Sequence, residues 1–400
     1  MPDLIISGVI GAILKGYHIM FATELNIICI SRSGLCSSVI AGLECFAMTG
    51  TVLPTLGRVK LTDLISSEGL ASDSYLIATS TLSQSLLQYS AVIVQLPKTD
   101  GALLRSGIDS ARLYFHQRAS GYPSEMIHTN NSREWCRTSG YYSDPQAWQE
   151  SYDYRPGLTS TEPDNILEFP PSGLPDIFSI LGKAARDILD AITFSLKLRS
   201  YAFAGILDNV PLRPEEISSS VLSVCCHLRP SFQGAQHHNL ATQEDGQLLM
   251  FPDHEYQVDK SFITIIKSDR AGLHVRDFHG RMVLLDGELG PQEVIVYPGL
   301  ALYQASAGAV SPALHRIETG NLHGHMYGRC SLAFKLMPKS LAILCSSEMS
   351  AAGRVVEPQF QLPIQVDEFM QRSHSMDQLF TRNNFQHYNF PTSQDGKPVI

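Results

Sequence analysis

The chain has 400 residues, of which 44% are hydrophobic and 17% charged, and its formal net charge is −9. This composition is typical of a folded soluble protein and not of a disordered chain. The acidic balance, without any basic run, argues against nucleic acid as a partner. Eight scattered cysteines without a C-x-x-C pair predict neither a zinc knuckle nor a disulfide framework. Reduced thiols in a cytoplasmic or nuclear protein fit best.

Residues 1–56 form an apolar N-terminal extension in which no regular period assigns a fold. Residues 4–14 resemble the hydrophobic region of a signal peptide, but Asp3 stands where basic residues usually precede it. Lys15 ends the apolar run short of the ~20 residues that a membrane span needs. A cleaved leader and a buried or poorly ordered leader stay open as alternatives, and no membrane partner is expected.

Residues 57–173 read as an α-rich region followed by a long loop. A short alternating strand begins at Val59, and helical spacing then covers residues 72–89 and 100–119, with a β-rich run between them. From about 119 to 173 the density of Tyr, Ser, Pro, Gly and Asn predicts an ordered surface loop. Its aromatic residues either line a substrate mouth or anchor the loop: Tyr141, Tyr142, Trp148, Tyr152 and Tyr154.

Residues 174–345 begin with the clearest amphipathic helix, from Pro175, which is expected to pack across a sheet. After a loop at 229–256, in which the adjacent His237 and His238 stay unassigned, the period changes to two. The short strands are SFITIIKSD, LHVRD, RMVLLDG, EVIVYPG, ALHRIE and RCSLAFKLMP. This spacing predicts an antiparallel barrel or sandwich. Residues 346–400 are expected to be a C-terminal extension, partly disordered.

Five residues of the β-rich region form a candidate site. Gln257 and Asp259 lie two apart at the mouth of a strand, so both side chains point to one face. His315 lies in a later strand, and a barrel allows separate strands to converge on one pocket. Asp259 and His315 could hold a metal, while Arg329 and Ser331 on one strand face could receive a carboxylate.

Over residues 58–340 the chain resembles the plant-type 2-oxoglutarate- and Fe(II)-dependent oxygenases related to isopenicillin N synthase. The resemblance rests on DKSFITIIKSDRAGLHV, VIVYPGLALYQASAG, PALHRIE and RCS. It implies an α+β, mainly β fold: a double-stranded β-helix (a jelly-roll, cupin-like core) at 174–345, with an α-rich N-terminal domain. It also implies Fe(II) as the metal and 2-oxoglutarate as the cosubstrate, in a His-x-Asp…His triad with open positions.

Carried over by residue, Asp259 and His315 match two of the three metal ligands, and Arg329 and Ser331 match the anchor for the far carboxylate of 2-oxoglutarate. Gln257 falls on the first histidine, and its amide oxygen is a weaker donor to Fe(II) than an imidazole nitrogen. His254 is a substitute ligand or an exposed loop histidine. Returning histidine at position 257 is expected to restore iron binding.

A second departure is SVCCHLRP, where the family has a strand whose tyrosine helps to hold 2-oxoglutarate. Cys226 or His227 occupies that region in this chain.

Two functions follow from this sequence. The first is a 2-oxoglutarate- and Fe(II)-dependent dioxygenase, a monomer that hydroxylates or desaturates a small organic molecule. The alternative is a catalytically degenerate jelly-roll protein that binds a ligand or a protein without turnover. Asp259, His315, Arg329 and Ser331 favour the first function, whereas Gln257 and the missing tyrosine favour the second.

Overall fold

The computed structural model describes the chain at residues 11–14, 17–22, 27–31, 55–66, 71–121, 139–144, 149–158, 170–227, 256–318 and 328–371. The chain divides into two compact units, Met1–Val52 and Leu53–Ile400. In the first unit three strands form an antiparallel sheet: β1 (Gly11–Leu14), β2 (Tyr17–Ala22) and β3 (Ile27–Ser31). The finer division at residues 57, 174 and 346 stays a prediction.

The second unit is built on an eight-stranded sheet. In spatial order its strands are β4 (Arg58–Lys60), β5 (Val92–Gln95), β12 (Glu293–Pro298), β9 (Ile263–Ser268), β14 (Arg329–Leu336), β8 (Val221–His227), β7 (Gln149–Tyr154) and β6 (Gly140–Asp144). The β4–β5 pair is parallel, and the other pairs described in this sheet are antiparallel. The sheet is therefore mixed, with one parallel edge.

A smaller antiparallel sheet packs against the first. Its strands, in spatial order, are β11 (Met282–Leu284), β10 (Leu273–Arg276) and β13 (His315–Ile317). Ile266, Ile295 and Ala333 of the larger sheet share one core with Leu273 and Val275 of the smaller sheet. The strands predicted from the period of two are thus present as β9 to β14, in two sheets around a common core, as a jelly-roll requires.

Three helices cover the opposite face of the larger sheet: α1 (Asp73–Tyr89), α2 (Lys98–Gly121) and α3 (Leu174–Ser195). The side chain of Ser72 caps α1 by accepting a hydrogen bond from the backbone N–H of Tyr75. In α3 the buried residues recur three and four apart, which gives it one apolar face. All three helices occur where helical spacing predicted them. Within the described part of the chain, no helix combines the length and apolar character that a membrane crossing requires.

The structure corrects the predicted loop at 119–173. Strands β6 and β7 form a hairpin there and extend the larger sheet through β8. The strand predicted at Val59 is short and passes directly into a 3-10 helix at Leu61–Leu64. Further short elements are α4 (Leu300–Ala305), β15 (Ile343–Leu344), α5 (Ser347–Ala351), α6 (Pro358–Gln361) and β16 (Ile364–Gln365). The polar tail at 372–400 lies outside the described residues.

Gly299 fixes the segment that carries Asp259. Its N–H donates to the carbonyl of Phe262, and the next N–H, of Leu300, donates to the carbonyl of Asp259. A Cβ at position 299 would overlap the carbonyl oxygens of Asp259 and Ser261, which belong to backbone and cannot move aside cheaply. The close approach therefore requires glycine.

We expect Gly299→Ala to lower the free energy of unfolding by about 1–3 kcal/mol, as overpacking does. Gly205→Ala is the control, because a Cβ there meets no heavy atom within 4 Å. Urea denaturation of both variants measures the difference. Equal stability of the two variants would show that the backbone at Asp259 and Ser261 can shift to accommodate a Cβ at little cost.

Candidate functional site

The backbone brings Gln257 and His315 directly opposite each other. They form an isolated antiparallel bridge, with N–H to carbonyl distances of 2.8 Å and 2.9 Å. Directly paired residues point to the same side of an antiparallel ladder. The side chain of Gln257 is exposed, whereas His315 is buried. The bridge therefore lies at the mouth of the barrel.

Asp259 is buried next to this bridge. The ring of Tyr297 lies against His315, with ring centroids 5.0 Å apart. Burial raises the pKa of Tyr297 well above its ordinary value, and the negative charge of Asp259 raises it further. Tyr297 thus contacts both Asp259 and His315, the two predicted metal ligands. Because the backbone bridge joins Gln257 to His315, all three residues lie close together. His254 lies outside the described residues.

A backbone carbonyl orients the ring of His315. Its Nδ1 lies 3.1 Å from the carbonyl oxygen of Ala313. Because a carbonyl oxygen only accepts, Nδ1 carries a hydrogen, which leaves Nε2 as the ring nitrogen that would bind a metal. Metal-ligating histidines are commonly oriented in this way.

Both carboxylate oxygens of Asp259 have hydrogen-bond donors. Oδ1 lies 2.7 Å from Nζ of Lys335, and Oδ2 accepts from Oγ1 of Thr264 at 2.6 Å. Burial alone would raise the pKa of Asp259, but the positive charge of Lys335 and, to a smaller extent, His315 lower it below its usual range. Likewise, burial would lower the pKa of Lys335, and Asp259 raises it instead. The pair is a carboxylate and an ammonium.

Lys335 was missed by sequence reasoning, although the signal was present. It lies on β14 six residues after Arg329, and an even offset along a strand places two side chains on one face. Its cross-strand partner on β9 is Thr264, which also binds Asp259. The strand that carries the predicted anchor therefore also carries a cation to the metal position.

Arg329 is completely buried, with a relative exposure of 0%. Its Nη2 donates to Oδ2 of Asp286 at 2.8 Å, Nε donates to the carbonyl of Arg270 at 3.1 Å, and Nη1 donates to Oγ of Ser331 at 3.3 Å. Arg329 and Ser331 are thus in contact with each other, and their role as a ligand anchor stays a prediction. Asp286, the carboxylate that pairs with Arg329, lies at the end of the predicted strand RMVLLDG, outside the segments on which the family resemblance rests.

The register of β8 shows which residue replaces the expected tyrosine. His227 pairs with Arg329 and Cys225 pairs with Ser331, so both share the barrel face. Cys226 pairs with Cys330, whose Sγ approaches a carbonyl of α2, and it therefore points to the helices. Of the two predicted residues, His227 is placed at the site and Cys226 is not. Burial raises the pKa of the Cys225 thiol to about 12, so this side chain is not a thiolate.

The aromatic residues of the β6–β7 hairpin act as anchors. Tyr141 and Tyr152 pack edge-on against Tyr114 of α2, and Tyr154 packs against Phe178 of α3. They lie on the helix face of the sheet, whereas Tyr142 is exposed. Trp148, His237 and His238 lie outside the described residues.

The described residues do not fit Fe(II) as a facial triad. Gln257 supplies at best an amide oxygen, and both oxygens of Asp259 are held by Lys335 and Thr264. Across the described ranges, no group of three His, Cys, Asp or Glu side chains is arranged to hold a metal ion. In this arrangement the Lys335 ammonium lies against Asp259. Of the three described positions of the triad, His315 alone offers an imidazole to a metal.

Sequence comparisons find no relative: no family model matches the chain, and no curated protein matches it. Solved structures do match. A full-length Neurospora crassa protein in complex with alpha-KG and 5-formyluracil has a TM-score of 0.57 at 14% identity, over 80% of this chain and 95% of that one. A putative 2OG-Fe(II) oxygenase family protein from Caulobacter crescentus has a TM-score of 0.54 at 16% identity, over 80% and 99%.

The rice dioxygenase for auxin oxidation has a TM-score of 0.51 at 16% identity, over 80% of this chain and 96% of that one. Identities this low establish the fold and leave the activity to be argued from the site. The chain therefore has the jelly-roll fold of the 2-oxoglutarate- and Fe(II)-dependent oxygenases.

Proposed function

We propose that this protein is a catalytically degenerate relative of the 2-oxoglutarate- and Fe(II)-dependent oxygenases, a binding module without iron-dependent turnover. The observation that carries the proposal is the Lys335 ammonium 2.7 Å from the carboxylate of Asp259. In an oxygenase this carboxylate has to bind Fe(II). An ammonium at the same oxygen supplies positive charge without open coordination positions for a cosubstrate or dioxygen.

Electrostatics support this proposal. Two cations near one carboxylate repel each other, and the repulsion is strong where water is scarce. Asp259 is buried, with 8% relative exposure, so screening around it is weak. Fe(II) would have to displace Lys335 and the Thr264 hydroxyl, and among the described residues His315 is the second strong ligand.

Two polar side chains next to Asp259 remain in contact with solvent. Gln257 is exposed, and the Lys335 side chain keeps 34% of its surface in solvent. A small organic molecule with hydrogen-bond acceptors would meet an amide and an ammonium there. The same groups could contact an acidic side chain of a protein partner.

The second candidate is an active 2-oxoglutarate-dependent dioxygenase acting on a small organic molecule. The orientation of His315 by the Ala313 carbonyl favours it, because this contact prepares Nε2 as a donor. The proximity of Gln257, Asp259 and His315 favours it as well. This function requires Lys335 to leave Asp259.

Anaerobic Fe(II) titration and succinate release from 2-oxoglutarate separate the two functions. We expect the purified wild-type protein to bind Fe(II) weakly and to release no succinate above the level of Asp259→Ala, the matched variant without the carboxylate. Stoichiometric iron together with succinate release that Asp259→Ala abolishes would contradict the proposal and establish the dioxygenase.

A further inference from the structure

Arg329 lies in a pocket that leaves no part of it in contact with solvent. Its own side-chain exposure is 0%, and that of its partner Asp286 is 1%. All three guanidinium nitrogens donate to atoms of this chain, as described above. An arginine that awaits a ligand would need at least one edge of its fork directed into an accessible space.

Asp286 is held with its carboxylate toward Arg329 by three further donors. Oδ2 accepts from Oγ of Ser268 at 2.8 Å, while Oδ1 accepts from the backbone N–H groups of Gly272 and Leu273 at 2.8 Å and 2.9 Å. Both oxygens therefore have partners on β9, in the turn that follows it and at the start of β10. Together with Arg329, four hydrogen bonds hold this carboxylate in place.

The backbone closes tightly around the same pair. Gly272 has a φ of +156°, and a Cβ there would lie 3.1 Å from Cδ of Arg329 and would overlap the carbonyl of Glu318. The turn between β9 and β10 can approach the arginine because this residue has no side chain. Arg329, Asp286 and Gly272 thus form one packed unit.

We propose that Asp286 is an internal substitute for a ligand carboxylate, so that the pocket of Arg329 is a carboxylate-binding subsite filled by the chain's own side chain. The proposal rests on the function proposed above and extends it to the second half of the site. The Lys335–Asp259 pair neutralises the position of the metal, and the Asp286–Arg329 pair neutralises the position of the cosubstrate. Free 2-oxoglutarate then finds no partner at Arg329. Truncating Asp286 opens a subsite for a carboxylate the size of acetate.

Chemical rescue tests this proposal. Asp286→Ala should melt about 5 °C or more below the wild type, because the buried Arg329 loses its counter-charge. Sodium acetate or formate should raise the melting temperature of this variant saturably, relative to sodium chloride at equal ionic strength. The wild type should show no such gain. Asp286→Asn is the matched control, since its amide fills the same space without charge and should exclude acetate.

A folded Asp286→Ala that acetate and formate do not stabilise beyond chloride would overturn the proposal. Should Asp286→Ala not fold, calorimetry of the wild type with 2-oxoglutarate in the absence of metal decides instead. Absence of binding supports the proposal, and binding that Arg329→Lys removes overturns it. Metal-free 2-oxoglutarate binding without succinate release would defeat this inference alone, whereas iron-dependent succinate release would defeat the proposed function.

Discussion

The double variant Gln257→His, Lys335→Met should bind Fe(II) more than about 100-fold more tightly than the wild type. It supplies the missing first ligand and removes the opposing charge at the same time. Changes to residues around the ligands alone typically alter metal affinity 10–100-fold. Histidine at 257 would stand directly opposite His315 across the bridge that already joins the two backbones. Methionine at 335 is an unbranched side chain one heavy atom shorter than lysine, and it frees Oδ1 of Asp259. Three strong donors would then lie together.

The two single variants should each gain much less than the double variant. Gln257→His keeps the ammonium on Asp259, and Lys335→Met leaves Asp259 and His315 as the strong ligands within the described residues. The two effects should therefore be coupled and not additive. Anaerobic Fe(II) titration measures all three variants. Gln257→His, Lys60→Met is the control, because Lys60 is exposed on β4. Equal affinity of this control and the Lys335 double variant would show that Lys335 does not oppose the metal.

Much of the fold could be predicted from the sequence, because regular periods of hydrophobic residues record which face is buried. α3 has its apolar residues three and four apart, and β9 to β14 are short runs between turn residues. Of these strands, β10 and β11 alternate in burial, whereas β9, β12 and β14 are buried almost throughout. The β6–β7 hairpin was missed because it lies at the edge of the sheet. Its residues are largely polar and half-buried, and Tyr, Ser and Asp dominate it, so neither period is visible.

The sequence predicted which residues face the candidate site, but it did not predict which charged groups they contact. The order of the motifs brought Gln257, Asp259 and His315 together, and it placed Arg329 and Ser331 on one face. Sequence spacing gives the face of a residue but not which charged group it meets across a barrel. Lys335 shares the face of Arg329 by an even offset, yet its contact with Asp259 depends on how β14 and the Asp259 segment approach each other.

Asp286 was harder to predict than Lys335. It follows β11 at the end of the smaller sheet, and it reaches Arg329 because the two sheets face each other there. An acidic residue next to a glycine in a turn is ordinary in a sequence. As a ligand anchor carried over from the family, Arg329 would be expected to tolerate replacement by leucine with a loss of ligand binding and an intact fold, but its ion pair with Asp286 predicts a loss of stability.

Arg329→Leu should lower the free energy of unfolding by about 3–5 kcal/mol, since it leaves a buried carboxylate without its counter-charge. Arg199→Leu is the matched control, because Arg199 also pairs with a carboxylate, that of Glu348 at 2.6 Å, but keeps 74% of its side chain exposed. Loss of such an exposed, solvent-screened pair should cost little stability. Urea denaturation compares the two variants with the wild type.

A second substitution separates a stranded charge from a simple loss of packing. Adding Asp286→Asn to Arg329→Leu removes the buried negative charge, while the amide oxygen still accepts from the N–H groups of Gly272 and Leu273. The double variant should therefore be more stable than Arg329→Leu alone, although it contains more changes. If the double variant is no more stable, the cost of Arg329→Leu comes from lost packing. If Arg329→Leu is as stable as Arg199→Leu, Arg329 is available to a ligand, and the ion pair with Asp286 contributes little to folding.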